Sequence, residues 1–266
     1  MRMPPSKAKI WAWRLSILVL MLILWECWGR YSPKTAFFAG TPSQIASEFH
    51  DLLVNGKLYW HFLVTGGEAI LGLAMGMTVG TALGLSLWYS RMAGEVLRPF
   101  FLAVGSLPIL AIAPLMIVWF GVGFSMKVAL ACLSTVFVAF SQAHRGASSV
   151  SKDYTEMAIG FGASGNQVFF KVVLPASCDW VFASMRLNVG FSLLGAFIGE
   201  FISSSQGLGH VVLRAASLYN VPRALAASLG ITLLACIFDR LASYIEAHRD
   251  RLMQLASVPH TLLFSK

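Results

Sequence analysis

The sequence predicts an all-α membrane protein with six transmembrane helices and a helical projection on the cytoplasmic side. Three observations carry that reading. Hydrophobic side chains make up 57% of the 266 residues and charged ones only 12%, against about 45–50% and about 25% in soluble domains; mean hydropathy is +0.70. The apolar residues come in six continuous runs rather than in period-two alternation, which selects helices over a barrel. Between the fourth and fifth runs lies a polar segment with helix-capping residues and a glycine elbow.

This composition excludes a disordered chain, a disulfide scaffold and an ordinary soluble enzyme, because a soluble fold of this size could not hide so much apolar surface. The formal charge of +8 is read as Lys and Arg retained in cytoplasmic loops, since no long basic run points to nucleic acid. Cys27, Cys132, Cys178 and Cys236 show no zinc or CxxC spacing, and three of them sit in or beside apolar stretches as small hydrophobes. No His pair has metal spacing, and His61, His144 and His260 are read as loop or interface residues.

The six spans are expected near residues 10–28, 63–88, 99–120, 125–143, 180–203 and 224–245, each close to the ~20 apolar residues that cross ~30 Å of hydrocarbon. Basic Arg2, Lys7, Lys9 and Arg14 precede the first run, but Trp25-Glu26-Cys27-Trp28 offers no small-residue cleavage site, so a retained membrane helix with Trp anchors is expected rather than a cleaved leader. Thr41-Pro42-Ser43-Gln44 is a capping box with Pro at the first helical position. Ile45, Phe49, Leu52 and Leu53 then share one face of a short amphipathic helix on the outer surface. In the second span Gly72, Gly76, Gly80 and Gly84 recur every four residues, lining one face for close approach of a neighbouring helix. Pro108 and Pro114 should kink or interrupt the third span.

Placing both termini in the cytoplasm puts thirteen Lys and Arg residues inside and six outside, with Arg186 in the fifth span. The long inside loop is the informative one. Asp153 is expected to cap a helix with Glu156 reaching back, Gly162 to end it in the left-handed conformation, and Ser164 with Gln167 to form a second capping box. The second helix is expected to stop at Pro175. Met157, Ile159, Phe161, Val168, Phe169, Phe170 and Val172 would have no lipid to enter there, and such an apolar patch marks a partner surface.

Glu156-x-Ala158, three residues, Gly162, nine residues and Val172-x-Leu174-Pro175 resemble the EAA loop of bacterial ABC-importer permeases, whose signature reads Glu-Ala-Ala, three residues, Gly, nine residues, Ile-x-Leu-Pro. Met157 stands in place of the first Ala and Val172 in place of Ile. The stretch Pro114 to Lys127, Thr41-Pro42-Ser43, Arg186 and Glu200, and Gly207-Leu208-Gly209 are similar to the nitrate/sulfonate/taurine-like subfamily; Glu68 departs from it, where a basic residue is common.

The resemblance implies the type I ABC importer permease fold, laid out as a cytoplasmic N-terminus (1–9), a transmembrane domain (10–250) with its coupling loop at 150–176, and a cytoplasmic tail (251–266). It implies a multi-pass protein of the bacterial inner membrane. The expected partners are two cytoplasmic ATPase subunits, a second permease copy in a homodimer, and a periplasmic binding protein that chooses a small polar or anionic solute such as nitrate, a sulfonate or taurine. ATP and Mg would be bound by the ATPase, with no cofactor in this chain, and no nucleic acid is a partner. Glu156, Met157, Ala158, Gly162, Ala163, Val172, Leu174 and Pro175 would form the ATPase-docking loop. Ser106, Pro108, Met116, Arg186, Asn188, Ser192 and Glu200 are candidates for the translocation path.

Rival readings are weaker. Gly56-Lys57-Leu58 is no phosphate loop, so ATP hydrolysis is expected elsewhere. Gly162-Ala163-Ser164-Gly165 matches the nucleophile pattern of rhomboid proteases, with His210 or His248 as an imagined base, but a catalytic serine should open a membrane helix rather than cap a polar loop. An ion-coupled secondary transporter would use Glu68, Arg186, Glu200 or Asp239; the alternative is that these charges snorkel or pair within the bundle.

Overall fold

The computed structural model describes residues 7–248. The tail 251–266 and His260 lie outside the described residues, as does most of the 1–9 segment. The chain is a succession of helices: α1 (Lys7–Tyr31), α2 (Pro33–Ala39), α3 (Pro42–Val54), α4 (Leu58–Ser86), α5 (Arg91–Gly105), α6 (Ile109–Phe120), α7 (Phe124–Ser148), α8 (Lys152–Gly160), α9 (Gly165–Val168), a π-helical segment (Phe169–Val173), α10 (Leu174–Ile202), α11 (Leu208–Ser217) and α12 (Val221–Ala247). Five of these stretches are long and apolar enough to cross a membrane, and α5 with α6 meets the same test as a pair bent by 91°. Five of the expected spans fall on single long helices and the third falls on the bent pair, each helical stretch reaching several residues beyond the expected bounds.

The centre is a sandwich of three helices with α7 in the middle. Gly72, Gly76, Gly80 and Gly84 of α4 are all buried against it. A Cβ at these positions would overlap Ala131, Thr135, the carbonyl oxygen of Val136 and that of Phe140. On its other side α7 meets α10, where a Cβ at Gly195 would fall 2.6 Å from Ala131 Cα and one at Gly199 2.9 Å from the Lys127 side chain. In lipid there is no water-driven gain from pressing apolar helices together, so close backbone approach and van der Waals contact hold such seams.

Two ion pairs add polar links between helices, one in the α4–α7 seam and one between α10 and α12. Lys127 Nζ donates to Glu68 Oε1 at 2.7 Å between α7 and α4, and both side chains are buried. Lys127 lies in the first turn of α7, at the edge of the fourth expected span, so its charge is carried into the bundle and needs an internal partner. Arg186 of α10 makes a two-pronged contact with Asp239 of α12, at 2.9 and 3.2 Å. Of the four charges that were to snorkel or pair, Glu68, Arg186 and Asp239 are thus in ion pairs.

The third crossing breaks at Ser106-Leu107-Pro108. Pro108 stands before α6 in extended conformation, and its ring cannot continue α5. Pro114 is accommodated inside α6 and Pro99 inside α5, so only the first of the two expected disruptions breaks the helix axis.

At the end of the bundle remote from α8 and α9, α3 begins with the expected box. Gln44 N–H donates to Thr41 Oγ1 and Thr41 N–H to Gln44 Oε1. Ile45 and Leu52 are buried and Phe49 packs beside them, but Leu53 is exposed; its position turns it off the stripe that faces α12. Arg223 at the start of α12 reaches both Glu48 and Asp51 of α3 at 3.2 Å. Residues 9–24 of α1 are exposed, and Trp25 packs against the core. The helix is tied at its far end, where Ser43 donates its N–H and hydroxyl to the Glu26 carboxylate at 3.0 and 2.7 Å.

Candidate functional site: the α8–α9 elbow

The segment between α7 and α10 forms helix, elbow and helix, as the capping pattern requires. Its first boundary differs from expectation. Ser151 is the N-cap, its side chain accepting from Asp153 N–H at 3.2 Å. Asp153 and Glu156 therefore lie inside α8, one turn apart, and do not form the expected box. Serine precedes the turn and presents its hydroxyl to the free N–H groups, which leaves Asp153 to complement the positive helix end. Glu156 is exposed and forms no hydrogen bond or ion pair with the described residues.

Gly162 has φ +85°. Its N–H donates to Ile159 O at 2.8 Å and the next N–H, of Ala163, reaches back to Ala158 O at 3.0 Å, closing the helix in a left-handed C-cap. Nothing lies within 4 Å of a Cβ built on Gly162. Backbone conformation, not space within this chain, therefore requires the glycine. Ser164 and Gln167 form the expected reciprocal box, at 2.8 and 3.4 Å.

The elbow is braced from below. Val168, Phe169 and Val173 are buried with Leu85, Ala143 and Ala147, and Ala158, Ala163, Val172 and Leu174 pack against that cluster. Phe169 also meets the rings of Tyr89 and Trp88, with centroids 4.8 and 5.6 Å away. Of the apolar residues expected to be exposed, Val168 and Phe169 thus face the bundle and Val172 is half covered. Those that remain open are Met157, Ile159, Phe161 and Phe170, joined by Tyr154; Phe161 is 85% exposed.

Pro175 does not stop the second helix. The chain stays helical from Gly165 to Ile202, because the π-helical turn takes up the proline. Leu174 N–H donates to Phe169 O, five residues back, and in this widened turn the missing proline N–H leaves no ladder gap of the ordinary kind. The elbow is therefore continuous with α10.

Among the translocation-path candidates, Ser106 and Pro108 are exposed at the α5–α6 break and Arg186 is half exposed. Met116 is buried against α7, and Asn188, Ser192 and Glu200 are fully buried inside the bundle. An apolar cavity of about 530 Å³ opens between α4, α6 and α7, lined by Met75, Met116, Trp119 and Cys132 among others. Ser164 uses its hydroxyl in the cap described above, and His210 belongs to α11, beyond the far end of α10. No serine–histidine pair of the protease kind is assembled there. Among the described residues no cluster of His, Cys, Asp and Glu could hold a metal ion, and the four cysteines are unpaired. Sequence reasoning missed Lys127 as the partner of Glu68, and the contacts of His61 and Thr65 described below; these join residues far apart in the chain and leave no local pattern.

Residues 72–251, more than half of the chain, match the family model described as binding-protein-dependent transport system inner membrane component. The chain belongs to that family. The permease is 26% identical to the putative aliphatic sulfonates transport permease SsuC of Bacillus subtilis, over 94% of this chain and 90% of that protein. It is 29% identical to the riboflavin transport system permease RibX of Chloroflexus aurantiacus, over 86% and 85%, and 29% identical to a probable ABC transporter permease of Haemophilus influenzae, over 81% and 87%. In fold it resembles a chain of the MetNI methionine ABC transporter in an inward facing conformation, with a TM-score of 0.62 at 15% identity, covering 70% of this chain and 93% of that one. The fold is that of a type I ABC importer permease, and the permease is a multi-pass membrane component of an importer.

Proposed function

We propose that the α8–α9 elbow is the docking element for a separate ATPase subunit, and that two copies of the permease with two such subunits form the importer. The observation that carries this is the elbow itself: a braced, doubly capped projection whose open face is apolar and whose Glu156 is uncommitted. A rigid finger transmits displacement, which a flexible loop would absorb. In this reading the docking residues are Glu156, Met157, Ala158, Gly162 and Ala163 at the tip, with Val172, Leu174 and Pro175 joining it to α10. ATP and Mg belong to the partner chain, where hydrolysis takes place.

The elbow and both termini then lie in the cytoplasm, as the Lys/Arg bias favours, and the α3–α11 end faces a periplasmic binding protein. Closure of the ATPases would rock the two membrane halves between inward-open and outward-open states. The path is placed along the open face of α10 near Arg186 and the broken crossing at Ser106 and Pro108. Met116, Asn188, Ser192 and Glu200 support that wall from behind. The solute is proposed to be small and polar or anionic, of the nitrate, sulfonate or taurine class, in line with the sulfonate relatives.

The test is co-purification and cross-linking. Met157→Cys, in a background freed of the native cysteines, should form a disulfide with cysteines introduced along the surface groove of the co-expressed ATPase, and uptake should require ATP. An ATPase that co-purifies without any cross-link to the elbow, or uptake driven by a proton gradient without ATP, would overturn the reading.

A further inference from the structure

The start of α11 is capped by side chains from other helices. Gly207 N–H donates to His61 Nδ1 at 3.0 Å, Leu208 N–H to Thr65 Oγ1 at 2.9 Å, and Gly209 N–H to Glu200 Oε2 at 2.6 Å. The Thr65 hydroxyl in turn donates to Glu200 Oε1 at 2.6 Å. Three successive N–H groups at a helix start, which have no partner in their own helix, are thus satisfied by two residues of α4 and one of α10. Thr65 and Glu200 are fully buried. A Cβ on Gly207 would overlap the Glu200 carboxylate, and one on Gly209 would lie 2.9 Å from Glu200 Cβ. The Gly-Leu-Gly sequence therefore lets the carboxylate enter the helix end. The preceding loop is pinned as well, by Trp60 Nε1 donating to Gln206 Oε1 at 2.9 Å.

Glu200 stands at the opposite end of α10 from the elbow. The helix from Leu174 to Ile202 has 29 residues, a rod of about 43 Å at ~1.5 Å per residue, and it joins the elbow through the π-helical turn without a break. We infer that Glu200, with Thr65 and His61, is the joint that makes α11 follow α10, so that displacement of the elbow reaches the remote face of the permease. Glu200 acts here as a positioning residue. The inference rests on the elbow being the ATPase-docking element, and it adds where the motion is delivered. Asn220 and Arg223, which bind Glu48 and Asp51 of α3, then extend the moving unit to the whole outer rim.

The test uses the permease co-purified with its ATPase, in a cysteine-free background carrying Leu218→Cys just after α11, a position 70% exposed. The rate of labelling by a membrane-impermeant maleimide is compared with and without MgATP and vanadate. The parent should show a several-fold difference between the two states. Glu200→Ala and Thr65→Val should each bring the ratio between the two states close to one, and in Thr65→Val, which lies outside the proposed path, ATP turnover should stay within about twofold. Glu200→Gln keeps a carbonyl for Gly209 and should retain most of the difference. Thr65→Val removes only a hydroxyl and serves if Glu200→Ala does not fold. The full difference surviving in Thr65→Val, or no difference in the parent despite turnover, would overturn the joint while leaving ATPase docking intact. An ATPase that binds elsewhere than the elbow would instead overturn the docking proposal.

Discussion

Lys127 and Glu68 meet at 2.7 Å inside the seam between α7 and α4, with Glu68 Oε2 left without a hydrogen-bond partner. A buried ion pair adds little net stability over well-packed apolar residues, but removal of one partner strands a charge at about 3–5 kcal/mol. Lys127→Met should therefore lower the thermal unfolding midpoint in detergent markedly. Adding Glu68→Gln to that variant should restore most of the loss. Equal midpoints for the single and double variants would show that the pair is not coupled.

Gly162→Leu tests the elbow. The substituted residue must hold φ near +85°, which costs an L side chain about 1–2 kcal/mol. That is too little to unfold the permease but enough to re-aim α8. The expected outcome is normal membrane insertion and a melting midpoint only slightly lowered, with ATP-driven uptake abolished. Normal uptake would count against the elbow as the coupling element.

Gly76→Val should damage the α4–α7 seam, since its Cβ would overlap Thr135 Oγ1 and lie 2.6 Å from the Cys132 carbonyl oxygen. The cost is about 1–3 kcal/mol, read as a lower midpoint in detergent. Gly67→Ala is the matched control. Nothing stands within 4 Å of its Cβ, and replacing an unconstrained helical glycine gains about 0.5–1 kcal/mol.

The α3–α12 clamp has a predictable acid limit. The Asn55 side chain, and then Arg223, hold the Asp51 carboxyl below the usual carboxylate range. A group whose folded pKa is depressed stabilises above its unfolded pKa and loses that contribution as pH falls through the folded value. Hydrogen exchange in α3 should thus be constant across neutral pH, after correction for intrinsic rates, and rise only below about pH 4. Asp51→Asn should remove the acid-dependent part of that rise.

What the sequence disclosed followed from periodicity and local capping. The glycine stripe of α4 was legible because four residues bring a side chain back to nearly the same face. The Ser164–Gln167 box, the Thr41 cap and the Gly162 turn were legible because their partners lie within a few positions. The Lys127–Glu68 pairing was not, because the two residues lie 59 positions apart in the chain. Pro175 misled because a π turn cannot be read from a single proline. Ser151 took the capping role expected of Asp153 because either side chain suits that position, and the choice depends on where α7 ends. Burial of Asn188, Ser192 and Glu200 was equally hidden, since a polar residue in a crossing helix can face a partner helix or a passage with the same spacing.

The exposed length of α1 has a consequence for how this architecture can vary. The matched family region opens at residue 72, and the tight seams involve only later helices. The first crossing is thus a detachable module, fastened only over its last two turns, by Glu26 with Ser43, by Trp25 against the core and by Gly29 against Thr41. A chain lacking it, or carrying an unrelated leading anchor, should still assemble the same interior.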